Sequence, residues 1–354
     1  MKPVERFFRN PSRKIGGAVV PVIGPPGSGK TNALIQMALL RKQEGHKIIW
    51  RGIKQGEWLK FLANGEEVVV WSHDSFNSVR VKVSDSSKVE TIDFENIDEV
   101  THKQFSDPKE VIENSTNEKI NVVNIPGVYE KNEYRTWFTQ KYIDLLKAII
   151  ERRNTYKFIS FFADEGGDIW PPQSIAKNNL HNLVAQRSPP LLAQARKQNC
   201  MLYIAVHDVN DMHHMIYKVK ANTIGYMQYS NVQKSIHPTV DQYKVNGLNI
   251  GQMIIPPKDK EQFTLAYEEE NIDWVGENKN VDLEWNYDID IEDSDNDIED
   301  TDIYKIGEVA SKCNVSERTL RRYAKNGKIN TVEVNGVKHT TMEELEKKGL
   351  LKEE

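Results

Sequence analysis

Cysteine is nearly absent from this sequence. Its 354 residues include two, Cys200 and Cys313, with no CxxC pair and no Cys/His cluster. That excludes a disulfide framework and argues against a structural zinc site. Long apolar runs are missing as well: none approaches the roughly 20 residues a membrane-spanning helix needs. The opening stretch, MKPVERFFRNPSRK, lacks the apolar centre of a secretory leader. A cytoplasmic protein without a membrane segment is expected. No charge of one sign dominates, since 47 Lys+Arg against 52 Asp+Glu leave a net charge of −5. With 38% hydrophobic and 28% charged residues the composition is that of a globular chain, and the length suits about two domains.

The near-neutral sum conceals a block of one sign. Residues 1–281 carry 36 basic and 33 acidic side chains, 282–301 carry ten acids and no base, and 302–354 carry 11 basic and nine acidic. Segment 281–302, VDLEWNYDIDIEDSDNDIEDTD, has too few large apolar side chains to offset chain entropy, and is expected to be a disordered acidic linker. It separates a body, 1–280, from a compact tail, 303–354. A soluble tether is its simplest role, and competition with nucleic acid for basic surfaces is the other.

What the sequence does have is GPPGSGKT, Gly24 to Thr31, which fits G-x-x-x-x-G-K-[ST] without a gap. An apolar, β-branched run, AVVPVIG, precedes it, and a stretch with helical periodicity, Asn32 to Gly45, follows. Strand, glycine-rich turn and helix in that order is the context the pattern requires. Backbone N–H groups in such a turn converge on phosphate oxygens, and the helix N-terminus adds a favourable dipole. Gly24, Pro25, Pro26, Gly27, Ser28, Gly29, Lys30, Thr31 and Asn32 are therefore expected to hold the phosphates of ATP. Lys30 would reach the β- and γ-phosphates and the Thr31 hydroxyl would hold Mg²⁺.

Strand and helix patterns then alternate. Strands are expected at His46–Ile53, Glu67–Ser72, Ile120–Val128, Lys157–Gly167 and Cys200–Asp208, with helices from about Tyr134 to Arg153, Ser174 to Gln186 and Leu191 to Gln198. Residues 77–119 read as an insertion that opens with a hairpin about the Ser84–Ser87 turn. This rhythm predicts an α/β fold with a mainly parallel central sheet, whose ligands gather at the C-terminal strand ends. FFADE places Asp164 and Glu165 at such an end. Two solvated acids closing a strand would leave the same letters, but a phosphate loop upstream favours chemistry: Asp164 on Mg²⁺, and Glu165 polarising the attacking water.

Taken together, the phosphate loop, the Asp-Glu strand end, the helix end ARKQN (Ala195 to Asn199) and the strand ending at His207 resemble the HerA/FtsK branch of P-loop ATPases. That branch includes DNA-pumping motors, virus packaging and conjugation ATPases, and Zot-type phage assembly proteins. DEGGDIWPP, Asp164 to Pro172, is similar to a segment of the Zot-like members, and the resemblance covers about residues 15–275. It implies that Arg196, or in competition Arg187, reaches a neighbouring subunit's nucleotide. The chain would then be a homo-oligomer, in the family a ring of six. The family's γ-phosphate-sensing glutamine is matched here by His207, whose imidazole can also donate a hydrogen bond. The tandem His213-His214 is expected at the surface.

The tail reads as helix, turn at Cys313–Val315, helix capped by Ser316, hairpin at Asn335-Gly336, and a last helix with Thr340 and Glu343 as capping box. That is a winged helix-turn-helix order, and IGEVA…VSERTLRRYAKNGKI resembles the DNA-binding heads of MerR and excisionase-type proteins. Arg318, Thr319, Arg321, Arg322 and Lys325, with Lys338 near the wing tip, are the candidates for contact with double-stranded DNA. The combined expectation is an ATP-hydrolysing enzyme that translocates, packages or mobilises DNA. The alternative is a nucleotide-switched DNA-binding regulator, partition or replication factor that does not pump.

Overall fold

A computed structural model describes residues 17–52, 57–74, 78–85, 88–93, 100–125, 132–152, 158–174, 178–195, 197–217, 224–235, 237–238, 240–255, 263–266, 280–286, 303–305, 309–325, 329, 332–334 and 337–352. The chain divides into two compact units, Met1–Ile289 and Asp290–Glu354.

In the first unit the apolar run Ala18–Ile23 (β1) is buried throughout. Helix Lys30–Gln43 (α1), strand Lys47–Arg51 (β2), a 3-10 turn Glu57–Leu59 leading into Lys60–Ala63 (α2), and strand Val68–His73 (β3) follow. A hairpin, Ser78–Asp85 (β4) and Lys88–Asp93 (β5), precedes strand Val100–Phe105 (β6), helix Pro108–Asn114 (α3) and strand Ile120–Asn124 (β7). Next come helix Asn132–Glu151 (α4), strand Ile159–Ala163 (β8), one helical turn Gly166–Ile169 (α5), helix Asn178–Ala195 (α6) and strand Cys200–Val206 (β9). The unit closes with His214–Tyr217 (α7), Gly225–Met227 (β10), Gln242–Asn246 (α8), Gln252–Ile255 (β11), Phe263–Ala266 (β12) and Asn280–Asn286 (β13).

Ten strands form one sheet in the order β12-β11-β10-β1-β9-β8-β2-β7-β3-β6. Every pair from β10 to β6 is parallel, and β11 and β12 are added antiparallel. Parallel strands need crossover connections, and the crossing helices bury both faces of the sheet. The strand period of two sorts the side chains accordingly. Val19 and Ile23 of β1 and Leu202 and Ile204 of β9 share a core with Leu145, Ile149, Val184 and Leu192 of α4 and α6. Val20, Val22, Tyr203 and Ala205 face the opposite core with Leu34, Met37 and Ala38 of α1, and with Trp58 and Phe61. The α/β class is as expected. Among the described residues no helix is long and apolar enough to cross a membrane.

Four differences from the sequence reading in the first unit have physical causes. The supposed insertion, residues 77–119, is partly sheet: β6 pairs in parallel with β3, Val68 with Val100 through His73 with Phe105. Residues α3 begins with are capped by a reciprocal box between Asp107 and Glu110. Residues 281–286, expected within the acidic linker, are strand instead: Asn280–Asn286 pairs antiparallel with β4, with Val281 opposite Val83, Leu283 opposite Val81 and Trp285 opposite Val79. Alternating apolar and acidic residues, VDLEW, give this segment the strand period that a charge count conceals. The rest of the linker, 287–302, lies outside the described residues. The two helices expected around residues 174–198 are one, α6, which runs through Pro189 and Pro190. Each proline removes a helix hydrogen bond, and burial of Leu180, Val184, Leu192 and Ala195 offsets that loss. Finally, His213 is fully buried rather than superficial, with its N–H donating to Trp170 O at 2.8 Å and its Nε2 3.2 Å from His181 Nδ1.

The second unit has a small core of Val309, Cys313, Leu320, Ala324, Ile329, Leu345 and Leu350. Strand Ile303–Lys305 (β14) pairs antiparallel with Val337–Thr341 (β16), which also pairs with Val332–Val334 (β15). Helix Glu317–Lys325 (α9) is opened by Ser316, whose Oγ accepts from Thr319 N at 3.3 Å. Thr340 is a strand residue opposite Tyr304 and not a helix cap, because helix Met342–Lys347 (α10) starts directly from β16.

The β4–β13 pairing makes the boundary of the first unit testable. A chain ending before Asn280 should melt several degrees below one ending at Ile289, read by circular dichroism. Equal melting temperatures would show that β13 contributes nothing to the fold.

Candidate functional site

Three adjacent strands, β1, β9 and β8, end on one side of the sheet, and each delivers a piece of the candidate site. After β1 the loop turns tightly, with Ser28 N donating to Pro25 O at 3.2 Å and Ala33 N to Gly29 O at 2.9 Å. Gly29 takes φ 92°, a left-handed value that glycine alone adopts without strain, and a Cβ there would also come within 3.2 Å of Gly251. Lys30 is 6% exposed, and its Nζ donates to the carbonyls of Gly24 (2.7 Å) and Pro25 (3.0 Å). Burial lowers its pKa, while the charges of Glu165, Asp164 and Asp211 work the other way.

From β8, Asp164 Oδ2 accepts a hydrogen bond from Thr31 Oγ1 at 2.6 Å, and its Oδ1 accepts from Glu165 N at 3.1 Å. A hydroxyl and a carboxylate oxygen brought this close are hard donors of the kind Mg²⁺ takes, usually with phosphate oxygens and water completing the shell. Such an ion needs no larger protein cage, and among the described residues no group of three or more His, Cys, Asp and Glu could hold a metal.

From β9 comes His207. Its Nδ1 lies 3.0 Å from Lys30 Nζ and its Nε2 3.3 Å from Glu165 Oε1. An ammonium only donates, so Nδ1 accepts and the ring proton is assigned to Nε2, which donates to Glu165. The imidazole thus bridges Lys30 and the second acid. Burial raises the pKa of Glu165, the neighbouring Asp164 charge raises it further, and His207 and Lys30 oppose both.

Glu165 adopts φ 51° and ψ 51°, left-handed for a residue with a Cβ, a conformation that costs roughly 1–2 kcal/mol. What holds it there is Arg51, the last residue of β2. Its guanidinium is 0% exposed and donates to the carbonyls of Asp164 and of Glu165 (2.8 Å), and to Asp168 Oδ2 at 2.8 Å. Gly166 completes the turn, since a Cβ there would lie 2.2 Å from Ile204 Cγ2. Sequence reasoning assigned Arg51 no role. The available signal was a cation ending a run, KIIWR, that is otherwise buried. Glu57 was missed too. Burial pushes its carboxyl up to about 7, with Asp164 and Glu165 adding to the rise and its own backbone N–H and Arg51 opposing it.

Arg196 lies outside the described residues. Arg187, on α6, donates to Gln140 Oε1 at 2.8 Å. Asn32 accepts from Lys60 through its side-chain oxygen. In the second unit Arg318 and Arg322 are exposed on α9 while Leu320 and Ala324 are buried, and Thr319 is half-buried. Arg321 and Lys325 belong to the same helix, and Lys338 sits on β16 opposite Glu333.

Neither a protein-family model nor a curated protein sequence matches this chain. Solved structures do. It is similar to the genome packaging NTPase of Sulfolobus turreted icosahedral virus 2 bound to AMPPCP, with 13% identity, a TM-score of 0.43, and coverage of 70% of this chain and 96% of that one. VirB4 of Thermoanaerobacter pseudethanolicus matches at 10% identity and a TM-score of 0.43, over 71% of this chain and 89% of that one. The N-terminal domain of zonular occludens toxin from Neisseria meningitidis matches at 12% identity and a TM-score of 0.28, over 72% and 96%.

Glu57 offers a test of this electrostatic environment. Its folded-state pKa, raised to about 7 from an ordinary 4.5, means that folding opposes its ionisation. Its contribution to stability is intact below the unfolded value and is lost as pH rises through about 7. Glu57→Gln should therefore leave the unfolding free energy nearly unchanged at about pH 4 and raise it by on the order of 3 kcal/mol at about pH 8. Urea unfolding at both pH values reads the difference, and an equal effect at both would contradict the assignment.

Proposed function

We propose that this chain is an ATP-hydrolysing enzyme that handles DNA, with a winged helix-turn-helix tail that recruits it to the duplex. The observation that carries the enzymatic part is the convergence of Thr31 on Asp164 and of Lys30, through His207, on Glu165, from three neighbouring strand ends. In this reading the triphosphate lies along Gly24–Thr31. Lys30 exchanges its carbonyl partners for β- and γ-phosphate oxygens, and Thr31 and Asp164 would hold Mg²⁺, whose chemistry there would be neutralisation of phosphate charge. Glu165 takes a proton as water attacks the γ-phosphorus and the bond to the ADP oxygen breaks. Its raised pKa makes it a better proton acceptor than an ordinary glutamate. The Nε2–H of His207 turns from Glu165 to the γ-phosphate when one is present. Arg196 serves a neighbouring copy in a homo-oligomeric ring.

The DNA part is supported by the second unit: a short helix set with an exposed Arg318 and Arg322 above a buried Leu320 and Ala324, followed by the β15–β16 hairpin. Arginines so placed can contact phosphates or guanine edges. The deciding experiment is steady-state ATPase of the full chain with and without duplex DNA. Turnover should rise with DNA, fall at least about 100-fold in Lys30→Ala, and lose its DNA response at low DNA concentration in Arg318→Ala/Arg322→Ala. Slow turnover that ignores DNA would favour a nucleotide switch, and none at all would end the enzymatic reading.

Arg51 gives a second measurement. Arg51→Lys keeps the charge but cannot serve two carbonyls and a carboxylate from one planar fork. The expected result is a fall in kcat of about 10–100-fold with ATP affinity changed less than about threefold, because Glu165 is displaced while the phosphate loop is not. Equal losses in both would assign Arg51 to general folding.

A further inference from the structure

Three large apolar side chains stand in solvent among the described residues: Tyr229 at 62% exposure, Tyr243 at 86% and Ile250 at 52%. All three belong to the stretch between β10 and β11, and β10 is the strand beside β1. Two of them are tied to the phosphate loop through the next residue. Tyr229 is held at φ 59°, a left-handed value unfavourable for a residue with a Cβ. Its neighbour Ser230 is 1% exposed and donates through Oγ to Ile23 O, at the end of β1, at 2.6 Å. The Gln242 side chain fixes this turn, donating to Ser230 O at 2.8 Å and accepting from Val232 N at 2.9 Å. Ile250 precedes Gly251, whose N–H donates to Ser28 O at 3.1 Å within the loop itself.

The direction of a bound nucleotide follows from the sheet order. Lys30, His207 and Glu165 mark the γ-phosphate end, over β9 and β8. β10 and β11 lie on the other side of β1. A triphosphate with its γ end toward β9 therefore sends its ribose and base toward Tyr229 and Ile250. An exposed aromatic face is what a flat heterocycle stacks on and an exposed apolar side chain can cover its edge, and strain at Tyr229 is what a functional placement would retain.

We propose that Tyr229 and Ile250 form the platform for the nucleobase of a bound nucleoside triphosphate. This rests on the phosphate-site reading above, and the test separates the two. Binding of ATP and of inorganic tripolyphosphate, each with Mg²⁺, is measured by calorimetry on the full chain and on Tyr229→Ala, Ile250→Ala and Tyr229→Phe. The platform predicts that the wild type prefers ATP. It also predicts that Tyr229→Ala weakens ATP about tenfold while changing tripolyphosphate less than about twofold, that Ile250→Ala does the same to a smaller degree, and that Tyr229→Phe restores ATP binding. Equal affinity of the wild type for both ligands would overturn the platform and leave the phosphate site standing. Binding of neither would remove both. Unchanged ATP affinity in Tyr229→Ala, with or without a change in oligomeric state, or an equal loss for both ligands, would assign the tyrosine to subunit contact or loop structure instead.

Discussion

A guanidinium buried at the end of a strand organises this sheet edge. Taking Arg51 out of water costs several kcal/mol unless its donors are met, and the fold meets them by bending another strand's exit back onto it. The carbonyls of Asp164 and Glu165 and the carboxylate of Asp168 supply acceptors. From the other side Phe138 and Tyr142 of α4 place their rings 5.5 Å and 5.8 Å from its Cζ, a contact worth more when desolvated. One side chain thereby joins β2, β8, α5 and α4. The left-handed turn at Glu165 exists because these acceptors have to point inward.

That constraint explains why two adjacent acids have different environments. Asp164 is drawn toward Thr31 and is 2% exposed, whereas Glu165 is turned out to meet His207. Burial disfavours the charge of Glu165, and repulsion from Asp164 one residue away adds to that, so the second acid binds a proton more readily than a free glutamate. Glu57, whose carboxyl is pushed up to about 7, extends the same crowding of acids around the buried Arg51.

How much of this the sequence disclosed depended on how local each feature is. The phosphate loop was legible because all its parts are contiguous and its flanks carry the strand and helix periods on which it depends. Asp164 and Glu165 were legible because an apolar run stops at them. Arg51 was not, since its partners lie more than 100 residues away (113 for Asp164) and nothing in KIIWR names them. The edge strand β6 was read as insertion because VTHKQF alternates weakly, its burial confined to Val100 and Phe105. Residues 281–286 read as linker because the eight acids between 287 and 301 outweigh the short alternation VDLEW in the composition. In the His213-His214 doublet, residue type alone suggested solvent, and only the packing of α6 and the Trp170 carbonyl puts His213 inside. The Ser316 cap was readable from its own neighbours, whereas the Thr340 cap failed because β16 runs straight into α10.

The Lys30–His207–Glu165 chain has a further consequence for how the three groups respond to charge. Lys30 is held by two carbonyls and an imidazole nitrogen, none of them ionised, in a site whose burial disfavours its own charge. An anion arriving at the loop offers it the charge-assisted partner it lacks. On the proposed reading, departure of Lys30 toward a phosphate would take the donor from Nδ1 of His207 and loosen the ring's hold on Glu165. The same event would then free the carboxylate through side chains alone. The backbone turn at Glu165 need not move, because Arg51 fixes it independently of what the loop contains. Separating a fixed backbone from a side-chain hydrogen-bond relay would let one cluster both keep its geometry and respond to a polyanion bound as proposed.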